Sequence, residues 1–525
     1  MQILTLFSLI TIVSLWSLYF YRNALIVIII STIILLASKN LFCKHKDKAS
    51  NKAISIALII SFLAAYPFLL LHPFVEASAD PAAHISSLAI KETMPKNYLP
   101  FSELEYRYQI GFPLLAKTFI EIVPFIESQI IVWILGIIFV FLSSMLIYFL
   151  CKNIFNSEFA GLFGISLFIG SKIVFQNTYW GQYTFIMAST FFLATLLAVK
   201  KNSNLKYLFF PTIIITHPGV ALYSVPFFIA HELLSKEFKE TLKLLLTGFL
   251  AAPTFWITYR HFIENFGAEE TKKITIETLK ETLVAFPLWI GLLIFCLTIA
   301  SIFFIFTKKM KQDNFTKILV WSFSISAILS IALVSSGRVL GGRIIELSMF
   351  SGLFLSVFFI MQITKSFEKK QNKEFENKLI IGIIAVSLIL FFSSSQLSYL
   401  AKGSKITKEE IEFAFAFKKF DPEYKKTLFL LENNTKIAEV SNKIPFDVLT
   451  GWYLSYDKRI SSNDPNIKIV KAKHELAEKI RLEKCVECIK EVEVEYIVTK
   501  EDFFSERLGL KKVFEYREYK VFSKN

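Results

Sequence analysis

The sequence predicts a polytopic α-helical membrane protein that ends in a small α/β domain. Three observations carry this prediction. Hydrophobic residues make up 54% of the 525 residues, charged residues only 19%, and the mean hydropathy is +0.50. A soluble chain holds about 25% charged residues, whereas Phe alone occurs 55 times here. Lipid is the environment that accommodates so large an apolar excess.

A helix that crosses the hydrocarbon core of a bilayer needs about 20 apolar residues. On this scale the sequence predicts about thirteen spans, near residues 3–20, 24–42, 53–72, 130–150, 158–175, 182–199, 205–216, 218–234, 242–259, 284–306, 316–335, 344–364 and 378–397. The first has no preceding Lys or Arg and no small-residue cleavage site, so we predict a retained span. The short pieces around Pro211 and Pro218 form either one broken helix or two half-helices.

Lys-rich connections between the spans predict the orientation of the chain. They lie at residues 44–52, 200–206, 236–243, 308–311 and 365–378. All fall on one side if residues 205–234 cross twice, and the positive-inside rule makes that side the cytoplasm. We therefore predict an integral plasma-membrane protein with a cytoplasmic N-terminus. The extracytoplasmic parts are loop 73–129, the turns near 176–181, 217 and 336–342, the loop 260–282, and the region from about residue 401. The net charge of +14 is then not evidence for nucleic-acid binding.

Residues 401–525 are polar and rich in Lys and Glu, which indicates a soluble domain after the membrane domain 1–400. Periodicity predicts helices at 408–419 and 474–483 and strands at 436–440, 492–498, 512–516 and 519–522. Such a length buries one modest core, so we expect a small extracytoplasmic α/β domain. Cys485 and Cys488 form a C-x-x-C pair, for which an extracytoplasmic location favours a local disulfide over a metal site.

The first extracytoplasmic loop carries the most informative acid, Asp80, which stands directly before Pro81. This pair is typical of a helix start, with the Asp as N-cap and the Pro at the first helical position. An alternative is that Asp80 is a general base for an acceptor hydroxyl, with His84 one turn further on as its neighbour. Further along the loop, Tyr108 suits the interface belt, and the apolar stretch 111–124 is predicted to lie in the interface.

Two outward turns carry further candidate binding residues. Tyr179 and Trp180 are either membrane anchors or rings that stack on a sugar, and Gln182 then hydrogen-bonds to sugar hydroxyls. His217, before Pro218, interrupts an apolar stretch. It is either an internally satisfied polar group or part of a ligand site, since a helix break frees backbone groups.

Two arginines and a glutamate lie at the predicted outer mouth of the twelfth span. The segment contains Arg338, Arg343 and Glu346 among glycines. Arg343 and Glu346 are three residues apart on one helix, so they are able to pair with each other. We prefer binding of a lipid phosphate, because guanidinium groups recognise phosphate in a bidentate manner.

This layout resembles that of the GT-C glycosyltransferases, multispanning enzymes that use polyprenyl-phosphate sugars. The similar features are the segment Asp80-Pro-Ala-Ala-His84, the segment Tyr108-Gln-Ile-Gly-Phe-Pro113, the break at His217, an outward Arg before a late span, and a terminal α/β domain. The resemblance implies that Asp80 is the loop-one catalytic acid of the family and that Arg338 or Arg343 contacts the lipid phosphate. Two departures are the lack of an Asp-Asp or Asp-Glu pair in loop one and of a Trp-Trp-Asp-Tyr-Gly motif. The second argues against an oligosaccharyltransferase.

The sequence thus leads to the hypothesis of a membrane glycosyltransferase that inverts the anomeric centre. It transfers a hexose or pentose from a polyprenyl-phosphate donor to a hydroxyl of a glycan, lipid or protein. No metal site is assigned, and no cofactor is expected, although a divalent metal stays open. A transporter or flippase of lipid-linked glycans is the main alternative, and a polymerase or ligase of such glycans is a third. Polar groups at one face and the lack of a visible repeat favour the enzyme.

Overall fold

The computed structural model describes most of the predicted membrane domain and much of the C-terminal region. The described residues are 1–18, 22–37, 50–70, 109–171, 182–235, 238–254, 274–307, 314–336, 339–367, 407–423, 425–431, 437–438, 440–446, 465–501 and 509–524, with positions 382, 385 and 389. All structural statements below concern these residues.

The apolar part of the chain is helical throughout its described ranges. The helices are α1 Gln2–Ser17, α2 Ala24–Ala37, α3 Asn51–Leu70, α4 Gly111–Ile122, α5 Ser128–Phe155, α6 Glu158–Ile169, α7 Tyr183–Lys200, α8 Lys206–Thr216, α9 Pro218–Leu234, α10 Phe238–Gly248, α11 Ile276–Ile290, α12 Leu292–Thr307, α13 Asn314–Ser335 and α14 Val339–Phe367. A 3-10 turn, Phe249–Ala251, and one helical turn, Ala252–Thr254, follow α10.

Three of the described helices, α5, α7 and α13, are long and apolar enough to cross a membrane. The bent pair α11 and α12 passes the same test as a fourth. Helix α5 is the longest of these, with 28 residues. Together with the composition, these helices identify the chain as an α-helical membrane protein.

Phe side chains explain how so many short helices share one core. Phe139 of α5 lies edge-on or tilted against rings from α1, α4 and α7: Phe7, Phe112 and Phe191. Phe192 of α7 contacts rings of α9 and α14: Tyr223, Phe227, Phe228 and Phe350. Each such pair contributes about 0.5–1.5 kcal/mol beyond area burial, so the two Phe residues hold α7 at the centre of the bundle.

Hydroxyl groups also link α9, α12, α13 and α14 within the bundle. The Tyr223 hydroxyl contacts those of Ser322 and Ser351, which joins α9 to α13 and α14. The Ser348 hydroxyl donates to Ser326 over 2.6 Å, and the Thr298 hydroxyl of α12 donates to the carbonyl of Gly352 over 2.9 Å. Small hydroxyl residues allow close approach of helices in lipid and supply hydrogen bonds there.

Contacts at one end of the bundle join the connections that are rich in Lys. Lys206 lies 3.3 Å from Glu232 and 3.2 Å from Glu240, and the first two side chains are 4% and 3% exposed. The Ser50 hydroxyl donates to Glu158 over 2.6 Å, and the Asn314 amide donates to the carbonyl of Leu234 over 3.1 Å. The starts of α8 and α13 therefore lie at the same end as the end of α9, and the starts of α3 and α6 contact each other.

The structure breaks one predicted span and buries a segment predicted to be interfacial. The span predicted at 284–306 is divided at Gly291, where α11 and α12 meet at 98°. The segment predicted to lie in the interface forms α4, whose residues Phe112, Leu114 and Leu115 are fully buried. Helix α4 contacts α1, α2, α5, α7 and α8, so it is part of the bundle and not a surface helix.

Residues 407–524 form a five-stranded mixed sheet between two layers of helices. The strands are β1 Lys426–Phe429, β2 Ile444–Pro445, β3 Tyr496–Thr499, β4 Lys511–Tyr516 and β5 Tyr519–Ser523, in the order β2-β1-β3-β5-β4. Helix α15 Lys408–Phe420 packs on the face that bears Phe429 and Val498. Helices α16 Pro465–Glu483 and α17 Val486–Glu491 belong with the opposite face, which bears Leu428 and Ile497.

The strand predicted at 436–440 is wrong, because Ile437, Ala438 and Val440 are helical. The reason is topological. Strands β1 and β2 are parallel, so the chain between them must cross back, and parallel strands are usually connected by a helix. The short strands β1 and β2 were not predicted. The strand predicted at 492–498 is shorter, since Val492 caps α17 and β3 begins at Tyr496.

A buried polar cluster stabilises the sheet at the starts of β1, β2 and β3. The Lys443 side chain is fully buried and donates to the carbonyls of Asp421 and Glu423, each over 2.6 Å. Burial acts to raise the pKa of Asp421. Hydrogen bonds from Tyr496, the Glu423 N–H and Lys425 outweigh this effect and lower that pKa to about 2. The cluster joins the end of α15 to the starts of β1, β2 and β3.

Candidate functional site

The chain breaks at His217, between α8 and α9. The sequence predicts either one broken helix or two half-helices here. His217 is the N-cap of α9, with extended backbone and Pro218 at the first helical position. Its Nδ1 accepts hydrogen bonds from the N–H groups of Gly219 over 3.1 Å and Val220 over 3.3 Å. Because Nδ1 is an acceptor, the neutral ring carries its proton on Nε2. The His is therefore a helix cap whose other nitrogen is a donor.

Two further segments meet the His217 break at the same end of the bundle. The Phe185 ring lies edge-to-face with His217 at 5.5 Å between centroids. The neighbouring Thr184 hydroxyl donates to the Gln109 side chain over 3.2 Å. Gln182 is the N-cap of α7 and is 5% exposed. The helix start that carries Gln182 thus contacts both His217 and the segment that follows Tyr108.

Gly111 allows this close approach. A Cβ atom added at Gly111 would lie 2.8 Å from both the Cα and the Oγ1 of Thr216. Side-chain carbons never come that close to backbone, so the start of α4 touches the end of α8 only because residue 111 has no side chain. Phe112, the next residue, stacks on Tyr183 at 5.4 Å. Segments 109–112, 182–185 and 215–219 consequently form one cluster, which we call the outer cluster after the side of the membrane that the charge pattern predicts for it.

A buried arginine holds the other end of α4. Arg22 is 2% exposed, and its Nη1 donates to both carboxylate oxygens of Glu121 over 2.9 Å. Its Nε donates to Ser14 over 2.8 Å and its Nη2 to Thr118 over 2.9 Å. A guanidinium group has five donors, and four bonds to this chain commit Arg22 to positioning α4. The sequence analysis did not find this pair, because 99 residues separate its members.

The outer cluster lies at the end of α8 and α9 that is opposite to the Lys206 ion pairs. Helix α8 has 11 residues, so its ends are about 16 Å apart at 1.5 Å per residue. Lys206 begins this helix and Thr216 ends it, directly before His217. The C-terminal unit contacts the start of α5, since Lys418 lies 2.5 Å from Glu127, the N-cap of that helix.

Most of the other predicted site residues lie outside the described residues. These are Asp80, His84, Tyr108, Tyr179, Trp180 and Arg338. Arg343 and Glu346 lie in α14, within its first turns, but only their backbone is described. The proximity of Asp80 to the arginines stays a prediction.

Within the described ranges, no three His, Cys, Asp or Glu side chains are grouped as metal ligands would be. Metal independence stays a prediction, since the loop with Asp80 is not among these ranges. Cys485 and Cys488 form a disulfide, as expected for an oxidising location.

Comparison with known proteins gives no identification: no family model and no curated protein matches the chain.

Proposed function

We propose that this protein is a membrane glycosyltransferase that acts on the extracytoplasmic side. It transfers a sugar from a polyprenyl-phosphate donor to a hydroxyl group of a glycan, lipid or protein acceptor. The resemblance in layout to the GT-C enzymes suggests the class. The location in the plasma membrane, about thirteen spans and an extracytoplasmic C-terminal domain belong to the same proposal.

The observation that carries the proposal is the outer cluster. Three segments that the charge pattern assigns to the extracytoplasmic side meet at one end of the bundle, through Gln109, Thr184 and His217. The buried Lys206 ion pairs lie at the other end. Polar side chains collected at one face fit chemistry at a membrane surface, where sugar hydroxyls and a lipid phosphate meet.

The proposed mechanism assigns each sequence-predicted residue a role. Asp80 removes the proton of the acceptor hydroxyl as the nucleophile attacks the anomeric carbon. The bond from that carbon to the lipid phosphate breaks, and Arg338 and Arg343 stabilise the negative charge of the departing phosphate. His84, Tyr108, Tyr179, Trp180, Gln182, His217 and Glu346 bind the sugar and acceptor. With these roles assigned, the proposed reaction needs no metal ion.

Substitution of Asp80 tests the mechanism. We expect Asp80→Asn to abolish transfer, because an amide does not accept the proton, while the amount of protein in the membrane stays unchanged. Glu92→Gln removes another carboxylate of the same loop and is the matched control, with normal transfer expected. The measurement is transfer of radiolabel from polyprenyl-phosphate sugars by the protein in lipid nanodiscs. Normal turnover by Asp80→Asn would remove Asp80 from the mechanism.

A transporter or flippase of lipid-linked glycans is the second candidate. Two observations favour it: the 98° break between α11 and α12, and the hydroxyl groups of Tyr223, Ser322 and Ser351 within the bundle. Transporters place broken helices and polar groups at the bilayer midplane. Flipping of a labelled lipid across proteoliposomes without hydrolysis of the sugar–phosphate bond would support this function. Use of lipid-pyrophosphate glycans as donors would instead indicate a polymerase or ligase.

A further inference from the structure

The bend at Gly291 turns α11 across the direction of α12. Gly291 has a φ of 102°, and its N–H donates to the carbonyl of Pro287 at the end of α11. The two helices meet at 98°. A positive φ of this kind is strained for any residue with a side chain, so the bend is set by the glycine itself.

Helix α12 runs along the bundle, parallel to α14. Ile294 and Thr298, near the start of α12, both contact Gly352 and Ser356 of α14. Further along both helices, the Phe304 ring lies edge-to-face with Phe359 at 5.9 Å. Because α12 follows the bundle, α11 must lie across it. Thr282 of α11 accepts a hydrogen bond from Ser335 over 3.2 Å, which places α11 at the end of α13.

The first half of helix α11 has three distinct faces, whereas its second half exposes the apolar residues Val284 and Leu288. Its buried face packs on the bundle and carries Thr282, Phe286 and Ile290. One exposed flank is apolar and carries Ile276, Leu279 and Leu283, with Ile276 88% exposed. The remaining surface of its first half is charged and carries Glu277, Lys280 and Glu281, all exposed. With 100° between successive residues, the apolar flank lies between the buried face and the charged face.

Length also favours an in-plane position for α11. Helix α12 has 16 residues, which span about 24 Å, whereas the hydrocarbon core is about 30 Å thick. The missing length of about 6 Å matches the depth of about 5–10 Å at which interfacial helices bury their apolar face. Helix α11 lying just below the headgroups thus brings the start of α12 to the right depth.

We propose that α11 is an interfacial helix seated in the outer leaflet of the bilayer, and that its partner is the phospholipid surface. Ile276, Leu279 and Leu283 lie against acyl chains, and Lys280 and its charged neighbours face water. Helix α12 also exposes apolar residues, Leu292, Ile299 and Phe303, which suit contact with lipid. This proposal does not depend on the catalytic function.

Spin-label depth measurements test the proposal. Single cysteines are placed in turn at positions 276–284 of the full chain, with the free native thiols replaced, and the protein is reconstituted in nanodiscs of phosphatidylcholine and phosphatidylglycerol. Accessibility to oxygen and to a nickel chelate is measured for each label. Ile299→Cys, midway along α12 at a residue 46% exposed, is the deep control, and Lys408→Cys, at a side chain 89% exposed, is the aqueous control.

We expect the ratio of the two accessibilities to oscillate with the helical period. Labels at 279 and 283 should favour oxygen at a shallow depth, and the label at 280 should favour the nickel chelate. A depth that increases steadily from 276 to 284 would show a spanning helix and overturn the proposal. High nickel accessibility at every position would overturn it too, because it would place α11 in water.

Discussion

At position 217, the fold and the proposed chemistry use different nitrogen atoms of one imidazole ring. The cap of α9 uses only Nδ1, as an acceptor for the N–H groups of Gly219 and Val220. A sugar-binding role would use the Nε2–H as a donor. An asparagine carbonyl is a good N-cap, so the two roles are separable by substitution.

We predict that His217→Ala lowers the free energy of unfolding by about 1 kcal/mol, because the cap is lost. His217→Asn should unfold at nearly the wild-type temperature, since its side chain restores the cap. If Nε2 contacts substrate, both variants lose transfer by a similar factor. Thermal unfolding in detergent and radiolabel transfer are the two measurements. Full transfer by His217→Asn would leave His217 a structural cap only.

Arg22 illustrates a residue whose role only the fold reveals. Sequence inspection cannot pair it with Glu121, because hydrophobic periodicity says nothing about contacts between distant helices. Buried charges that have lost a partner cost several kcal/mol, so the pair is expected to stabilise the placement of α4. Because four hydrogen bonds of its guanidinium group go to this chain, Arg22 is assigned to positioning α4 and not to phosphate binding.

At the scale of elements, the position of α4 depends on one missing methyl group. We predict that Gly111→Ala destabilises the bundle by about 1–3 kcal/mol, as overpacking does, because its Cβ would meet the Thr216 backbone at 2.8 Å. Gly248→Ala is the matched control, since its Cβ would lie 3.7 Å from the nearest atom, an ordinary contact. Unfolding midpoints in detergent provide the comparison. Equal midpoints would mean that α4 is free to move away from α8.

The sequence predicted the positions of the helices along the chain far better than the angles and contacts between them. The spans expected at 182–199 and 218–234 correspond to α7 Tyr183–Lys200 and α9 Pro218–Leu234, because apolar length identifies a helix locally. The turn at Gly291 was not predicted, since a glycine between two apolar segments leaves the angle open. The burial of α4 was missed for a similar reason: 12 residues are too few to span, and its partners are distant in sequence.

The candidate site was predictable only in part. His217 and Gln182 were found because polar residues next to helix breaks are unusual in apolar sequence. Gln109 was not singled out, although it belongs to the segment quoted for the family resemblance. Its contact with Thr184 joins residues 75 apart, which no local pattern encodes.

At the scale of the whole molecule, two independent lines place the same segments together. The charge pattern divides the connections into cytoplasmic and extracytoplasmic groups, and it uses no structural information. The contacts place the same connections at two ends of the bundle. Lys206, Glu232 and Asn314 lie at one end. Gln109, Thr216 and Thr282 lie at the other. The structure contains no membrane, so agreement between the two divisions supports the proposed orientation.

Membrane-impermeant labelling checks this orientation directly. Four exposed positions are changed singly to cysteine: Asn51 and Lys239 at the Lys-rich end, Phe125 beside α4, and Lys408 in the C-terminal unit. We expect a charged maleimide to label positions 125 and 408 in intact cells, and positions 51 and 239 only after permeabilisation, because lysines accumulate in cytoplasmic connections.

Labelling of all four only after permeabilisation would reject the proposed sidedness. Labelling of 125 without 408 would place the outer cluster and the C-terminal unit on opposite sides, contrary to the Lys418–Glu127 contact. The proposal requires both to share the compartment where the lipid-linked sugar is used.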